Sequence, residues 1–254
     1  MASLFTMLPF SVSNPALPVI PSADFERLSE LEVGAYEHWL FDNGAASLYG
    51  GLNGRALTAQ SDPATFSDSY LSISGNEGKA LLTDMGEVAG QKDTICVVFR
   101  YSTTSGVVIP FGSLAKTAAA ALGGGCPYIA NAGRDILLQY RPTNINSIDT
   151  GKDAAASTWL FMAVSRDMAT DGVVRTLVGG QTQHSITVTN VAAYIPAGSG
   201  RKIGLGSAYY NAATGVTLDF AEAVLFDRAL SAAELTDVYT RAKARMAERG
   251  ITVV

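Results

Sequence analysis

The clearest hydrophobic pattern lies near the C-terminal end of the chain. Residues 218–226 form an almost continuous apolar run of strand length, which is typical of a strand buried on both faces. Ser231 and Glu234 follow at capping-box spacing, in which each side chain accepts the other residue's backbone N–H. The pattern predicts a helix over 232–248 with Gly250 just past its end. Its apolar positions at helical spacing are Leu235, Val238, Tyr239, Ala242 and Met246. The opposite, polar face is predicted to carry Arg241, Lys243, Arg245, Glu248 and Arg249.

Apolar or alternating segments of strand length recur from residue 38 onward, separated by Gly, Asn and Asp turns. The predicted strands are 38–42, 70–74, 93–101, 107–111, 128–130, 135–140, 158–165, 173–178, 184–188, 202–205 and 218–226. Residues 117–125 are expected to form a helical turn or loop, and 142–153 a polar loop. No strand alternates with a helix, so the pattern predicts an all-β fold, an antiparallel jelly-roll β-sandwich.

The first 21 residues are apolar but contain four prolines, which exclude a helix and favour an extended arm. Such an arm either packs along its own domain or docks on a neighbouring subunit, and the sequence favours neither alternative. A short helix is predicted within 23–38. The expected organisation is an arm with a short helix (1–35), a sandwich (36–230) and a C-terminal helix (231–254). The candidate assembly residues are Leu4, Phe5, Leu8 and Phe10 in the arm and Tyr239 and Met246 on the helix.

Composition limits the partners. The chain has 254 residues, 48% of them hydrophobic, which is enough for one large core. Its net charge of −5 without blocks of like charge argues against nucleic acid and anionic membrane surfaces. No apolar run is long enough to span a membrane, and the proline-broken N-terminus does not resemble a signal peptide. We therefore expect no membrane insertion and a protein that stays in the cell where it is made or leaves by assembly or lysis.

The sequence shows no metal-binding pattern. Cys96 and Cys126 are interpreted as two buried thiols in preference to a disulfide. No Cys and His residues have zinc-ligand spacing. Asp167 and Asp171 flank a turn, where turn formation explains them better than a shared cation. We expect neither a metal ion nor another cofactor.

Two groups of residues are candidates for carbohydrate binding. The first is Tyr209, Tyr210 and Asn211, in a loop between two strands, where sugar binding, subunit contact and loop anchoring remain open. The second is Asn131, Arg134 and Tyr140 around a hairpin, where solvated hairpin residues are the favoured alternative. Trp159 is interpreted as a core residue rather than a sugar platform.

Three blocks of sequence, 158–167, 173–180 and 202–235, together resemble the concanavalin A-like lectin/glucanase superfamily, in particular its laminin-G-like branch. The resemblance covers about residues 36–240 and implies a lectin-like sandwich. The chain departs from the family pattern at Ala221, where an acid commonly precedes Glu222, and at Gly179, where the Asp of an Asp-Gly turn is expected. The loss of these acids argues against a family-type calcium site.

The paired carboxylates of the family's glucanases are also missing, since no Glu-x-Asp-x-x-Glu or Glu-x-Asp-x-Glu run occurs. Glycosidases need two positioned acids, so we predict a non-catalytic protein. The favoured interpretation is a bacteriophage virion component of the tail, baseplate or capsid surface, made in the host cytoplasm. It would assemble through its arm and helix, with itself as a homo-oligomer or with other virion subunits, and contact host-surface glycan. The alternative is a free carbohydrate-binding module, and a glycan-cleaving enzyme is the least favoured.

Overall fold

A computed structural model shows how these segments come together. It describes residues 32–41, 51–102, 107–116, 122–130, 135–140, 146–169, 172–187, 200–210 and 215–254, with the backbone alone at 116, 122, 135–140 and 146–148. The chain divides into two units, Met1–Glu30 and Leu31–Val254, and every described residue belongs to the second. The predicted arm and most of the short helix therefore lie outside the described residues.

The described part of the chain is built from short strands and one C-terminal helix. The strands are β1 (Glu37–Leu40), β2 (Thr58–Ala59), β3 (Thr65–Phe66), β4 (Leu71–Ser74), β5 (Leu81–Gly86), β6 (Lys92–Tyr101), β7 (Phe111–Gly112), β8 (Ala115–Lys116), β9 (Leu122–Gly123), β10 (Cys126–Ala130), β11 (Asp135–Tyr140), β12 (Asn146–Asp149), β13 (Leu160–Asp167), β14 (Val173–Val178), β15 (His184–Thr187), β16 (Lys202–Leu205) and β17 (Thr217–Phe226). The helix is α1 (Ala232–Glu248).

These strands form two antiparallel layers. The first sheet has the order β15-β14-β13-β6-β17-β4-β3, and β1 also pairs with β17. The second layer contains β2-β5-β16-β7 and β10-β11-β12, with β8-β9 as a separate two-stranded piece. Val108 and Ile129 exchange two backbone hydrogen bonds, of 3.0 and 2.9 Å, and join the two parts of the second layer. The predicted all-β sandwich with a C-terminal helix is confirmed.

The central strands of the first sheet are buried on both faces. On the inner face, Phe99 and Phe220 pack between the sheets against Phe111 of the second layer. On the outer face, Val98 and Phe161 pack beneath α1. This double burial explains why the run in β17 is mostly apolar rather than alternating, since neither of its faces meets water over most of its length.

The helix has the predicted bounds and the predicted caps. The hydroxyl of Ser231 accepts the N–H of Glu234 at 3.3 Å, and the Glu234 carboxylate accepts the N–H of Ser231 at 2.8 Å. Gly250 follows the helix with φ +73°, the left-handed conformation that glycine adopts freely after a helix. Among the described residues, no helix has the length and apolar character needed to cross a membrane.

A buried ionic network anchors α1 to the first sheet. The pairing of β17 with β6 shifts register between Phe220 and Glu222, and this bulge turns Glu222 to the outer face. There its Oε1 lies 2.6 Å from Nε2 of His38 and 2.5 Å from Nη2 of Arg245, and Arg245 also pairs with Glu32 at 3.0 Å. The prediction that Arg245 lies on the polar face of the helix is wrong, because its guanidinium is buried against the carboxylates of Glu32 and Glu222.

Several other segments also differ from the predictions. β5 was not predicted, and β12 lies in the predicted polar loop. The short helix expected within 23–38 cannot extend to its predicted end, since β1 begins at Glu37. The predicted strand 107–111 is reduced to the Val108 bridge and β7. β5 contains polar and glycine positions without clean alternation, and its extended conformation depends on pairing with β2 and β16.

We predict that Glu222→Gln lowers the free energy of unfolding by about 3 kcal/mol, because Arg245 keeps only one of its two buried counter-charges. Burial alone would raise the pKa of Glu222, but the hydrogen bond from His38 and the charge of Arg245 outweigh it and lower the pKa from 4.5 to about 2. Between pH 4.5 and about 2, the unfolded chain therefore binds a proton at Glu222 more readily than the folded chain does. The stabilisation is complete above pH 4.5 and is lost as the pH falls toward 2.

Urea unfolding at a series of pH values measures both effects. The Glu222→Gln variant should show a weaker loss of stability below pH 4.5 than the unsubstituted protein. Glu77→Gln, at an exposed turn position, is the matched control and should change neither quantity. Equal stability and an equal pH profile for Glu222→Gln would contradict the anchoring role of the network.

Candidate functional site

The predicted carbohydrate-binding residues that the structure describes lie in different parts of the second layer. Tyr209 and Tyr210 follow β16 and are both half-buried. Tyr140 ends β11, where its backbone pairs with Asn146. Three further predicted residues, Asn131, Arg134 and Asn211, lie outside the described residues, and so do the predicted arm contacts Leu4, Phe5, Leu8 and Phe10.

Tyr210 belongs to a small cluster on the outer face of the second layer. The Val108 side chain is part of the inter-sheet core, so its neighbours Val107 and Ile109 point to the opposite, outer face. Tyr128 and Tyr210 are half-buried against this apolar floor. We call this cluster the tyrosine face; its members are Val107, Ile109, Leu114, Cys126, Tyr128 and Tyr210.

The two neighbouring tyrosines have different roles in the structure. The hydroxyl of Tyr209 accepts the backbone N–H of Lys202 at 2.9 Å, and the Arg201 guanidinium lies 5.3 Å from the centre of its ring. Tyr209 therefore anchors its own loop. The carbonyl of Tyr210 accepts the buried Ser207 hydroxyl, which holds the backbone while the ring lies on the tyrosine face. Sequence analysis treated the two tyrosines as equivalent, whereas in the structure Tyr209 bonds within its own loop and Tyr210 packs against the tyrosine face.

Tyr128 links the two predicted groups. It lies in β10, shortly before the predicted group at Asn131 and Arg134 in the sequence, and it shares the tyrosine face with Tyr210. Burial raises the pKa of Tyr128, with a further contribution from Tyr210 and then Cys126. Its hydroxyl therefore stays protonated at neutral pH and can both donate and accept a hydrogen bond. Sequence reasoning missed Tyr128 as a surface residue, although its alternation with the core residue Ile129 was a usable signal.

The helix residues proposed for assembly are placed within their own chain. Met246 is completely buried among the residues between α1 and the first sheet. Tyr239 is half-buried, and its ring lies 5.3 Å from that of Phe161. Trp159 is also half-buried at the edge of this cluster, where it packs edge-on against Tyr70.

Four of the buried acids have internal partners. Glu87 and Asp93 pair with Arg166 at 3.1 and 2.6 Å, while Glu32 and Glu222 pair with Arg245. Glycoside hydrolysis needs one carboxyl group held protonated beside the substrate, and the lowered pKa of Glu222 is the opposite arrangement. These acids stabilise the fold, and their geometry offers no pair of carboxyl groups facing a substrate.

Metal binding finds no support in the described part of the chain, where no three His, Cys, Asp or Glu side chains come together as a site. Asp167 accepts the N–H of Ala169 at 3.0 Å, as expected for turn formation, and pairs with Lys92; Asp171 lies outside the described residues. Gly179 has φ +47°, and a Cβ there would lie 2.1 Å from the carbonyl oxygen of Val254. Close packing therefore explains why an Asp is absent at this turn.

Comparison with known proteins identifies the fold. No family profile and no curated protein matches the sequence. Among solved structures, the chain is similar to the botulinum neurotoxin serotype G binding domain, with a TM-score of 0.59, 15% identity, and coverage of 83% of this chain and 51% of that one. It is similar to the serotype D ligand-binding domain in complex with N-acetylneuraminic acid, with a TM-score of 0.55, 11% identity, and coverage of 82% and 50%. It is also similar to the neurotoxin DC binding domain in complex with rat synaptotagmin II, with a TM-score of 0.59, 11% identity, and coverage of 82% and 51%.

These similarities establish a concanavalin A-like sandwich. The chain spans about half the length of the neurotoxin domains that it matches. The ligands of those structures, N-acetylneuraminic acid in one and rat synaptotagmin II in another, therefore belong to proteins about twice as long as the matched region. At identities of 11–15%, the similarity shows the shared fold alone.

We predict that both cysteines are unreactive in the native protein. Cys96 and Cys126 are free and buried, and burial raises the pKa of each thiol above its ordinary value. Ellman's reagent at pH 8 should modify neither residue in the folded protein and both after denaturation. Val88→Cys, which places a thiol at an exposed position, is the positive control and should react at once. Rapid modification of native Cys126 would show that the reagent reaches the buried residues of the tyrosine face.

Proposed function

We propose that this chain is a non-catalytic lectin-like recognition domain that binds glycan through the tyrosine face. The observation that carries the proposal is that Tyr128 and Tyr210, from distant segments of the chain, are both half-buried against the same small apolar cluster. Aromatic rings offer flat apolar surfaces to the C–H groups of a sugar, and the phenolic hydroxyls bond its hydroxyls. Since the floor is buried, the rings are fixed before a ligand arrives, which lowers the entropic cost of binding.

The comparisons support the class of ligand. Two whole neurotoxin binding domains, each containing a region of this fold, were solved with N-acetylneuraminic acid and with rat synaptotagmin II, and this chain matches about half of each domain. Fold does not determine function, and the proposal for this chain therefore depends on the tyrosine face itself. The internal pairing of the buried acids supports the non-catalytic part of the proposal.

We also propose the finer assignments suggested by the sequence. These are membership of the laminin-G-like branch and a place on a bacteriophage virion, in its tail, baseplate or capsid surface, made in the host cytoplasm. The support is the order of the three sequence blocks and the apolar, proline-rich residues 1–21. A free carbohydrate-binding module remains the alternative.

The glycan proposal predicts that Tyr210→Ala and Tyr128→Ala each weaken binding at least tenfold, about 1.4 kcal/mol, because each removes one ring of the platform. A glycan array identifies ligands of the unsubstituted protein, and calorimetric titration of the best one measures the variants. Tyr210→Phe should retain most of the affinity, since the ring remains. Tyr239→Ala removes a half-buried tyrosine on α1 and is the matched control that should bind normally. The proposal is wrong if no arrayed glycan binds, or if both alanine variants bind as well as the control.

The assembly proposal predicts that the full chain is a homo-oligomer and that Phe5→Ser with Phe10→Ser converts it to monomer. Light scattering coupled to size-exclusion chromatography measures the mass. Val33→Ser, at a side chain that is 91% exposed outside the arm, is the control and should leave the oligomer intact. A monomeric unsubstituted chain would remove the homo-oligomer from the proposal. Absence of the chain from purified particles would remove the virion assignment.

A further inference from the structure

A second surface with ligand-binding character lies on the outer face of the first sheet. Arg100 in β6 is two residues beyond Val98, and Asp219 in β17 is two residues before Ala221, so both continue the face that α1 covers elsewhere. Beside them is an open cleft of about 220 Å³. We call it the arginine cleft; its lining residues are Arg100, Tyr101, Ser102, Ser157 and Asp219.

The guanidinium of Arg100 is held in one orientation. It lies 4.8 Å from the ring centre of Tyr70 and 4.7 Å from that of Trp159. The two rings meet edge-on, with their centres 5.5 Å apart. Nε of Arg100 donates to Oδ2 of Asp219 at 2.7 Å. Two aromatic contacts and a charge-assisted hydrogen bond therefore position a side chain that is still 32% exposed.

The ion pair leaves donors available on Arg100. Asp219 accepts from Arg100 with one oxygen and from the Ser72 hydroxyl, at 2.5 Å, with the other. Among the described residues, Nε is the one Arg100 nitrogen with a hydrogen-bond partner. The two terminal nitrogens remain, and together they match the two oxygens of a planar carboxylate.

The rim of the cleft adds hydroxyl groups and an unusual backbone conformation. Ser102 and Ser157 are both exposed. The Ser102 hydroxyl oxygen accepts the N–H of Thr217 at 2.9 Å, which leaves its proton to donate. Ser157 has φ +60° and is the one non-glycine residue in the left-handed region within the described ranges. That conformation costs roughly 1–2 kcal/mol for a residue with a side chain, and such residues concentrate at functional sites.

We propose that the arginine cleft is a second ligand site, which binds one acidic sugar unit. Arg100 binds the carboxylate of this sugar, and Ser102 and Ser157 bind the hydroxyl groups on the sugar ring. The cleft is smaller than the roughly 300–1,000 Å³ of sites for drug-sized ligands, which suits a single sugar ring. It lies on the other sheet from the tyrosine face and does not depend on the function proposed for that face.

The test is an NMR titration of the full chain with D-glucuronate and with D-glucose, a pair that differs in the carboxylate. The two tryptophans provide the readout, since Trp159 contacts Arg100 while Trp39 is buried in the core. Glucuronate should shift the indole N–H signal of Trp159 and leave that of Trp39 unchanged, with at least tenfold weaker binding of glucose. Equal responses to the two sugars would overturn the proposal. Acetate binding as tightly as glucuronate would overturn its sugar component.

The chain supplies a matched control for the arginine. Arg55 lies 4.0 Å from the ring centre of Tyr36 and 3.4 Å from Asp84, and is exposed to a similar degree, but does not line the cleft. Arg100→Gln should weaken glucuronate binding at least tenfold, whereas Arg55→Gln should leave it unchanged. Arg100→Gln binding within twofold of the unsubstituted protein would overturn the proposal.

Two further variants control for loss of folding and for binding of glucuronate at the tyrosine face. Ser157→Gly removes a rim hydroxyl at a position where glycine is unstrained, so it should weaken glucuronate binding several-fold without lowering the melting temperature. Tyr210→Ala should leave glucuronate binding intact. Loss of glucuronate binding in Tyr210→Ala with retention in Arg100→Gln would place the acid on the tyrosine face, overturning this proposal and not the proposed function.

Discussion

Burial of the first sheet on both faces is the constraint on which the rest of the structure depends. β6, β13 and β17 are apolar on the inner face, toward the second layer, and on the outer face, toward α1. A sandwich alone would leave that outer face in water, so the helix is a required part of the core. The buried network of Glu222, Arg245 and His38 then makes the helix position specific, because displacement of the helix would separate the charges of Glu222 and Arg245 in a medium of low dielectric.

Because α1 covers only part of the outer face of the first sheet, the covered and uncovered parts of that face differ in chemistry. Where α1 covers the first sheet, the outer face is apolar except for the buried Glu222 network. Beyond the helix, the same face carries Arg100 and Asp219. The outer face of the second layer carries the half-buried Tyr128 and Tyr210. The two sheets therefore carry chemically different outer surfaces, one with half-buried tyrosines and one with the Arg100–Asp219 ion pair.

Much of the fold follows from local sequence patterns. The bounds of β14, β16 and α1 agree with the predictions because hairpin turns, a short apolar run and a capping box are all encoded within a few residues. β5 and β12 are different. Their residues alternate poorly, and neighbouring strands supply the hydrogen bonds that make them extended. The residue pattern within one segment does not show the stabilisation that it gains from hydrogen bonds to a neighbouring strand.

The sequence by itself determined the fold class and the capped helix. Only the tertiary structure decided that Tyr128 joins Tyr210, that Arg245 is buried against Glu222, and that Arg100 lies between Tyr70 and Trp159. The reason is physical: periodicity specifies which face of an element is buried, whereas the register of distant strands specifies which side chains meet on that face. The bulge before Glu222 shows this most directly, since one unpaired residue moved a charge from the expected face to the other.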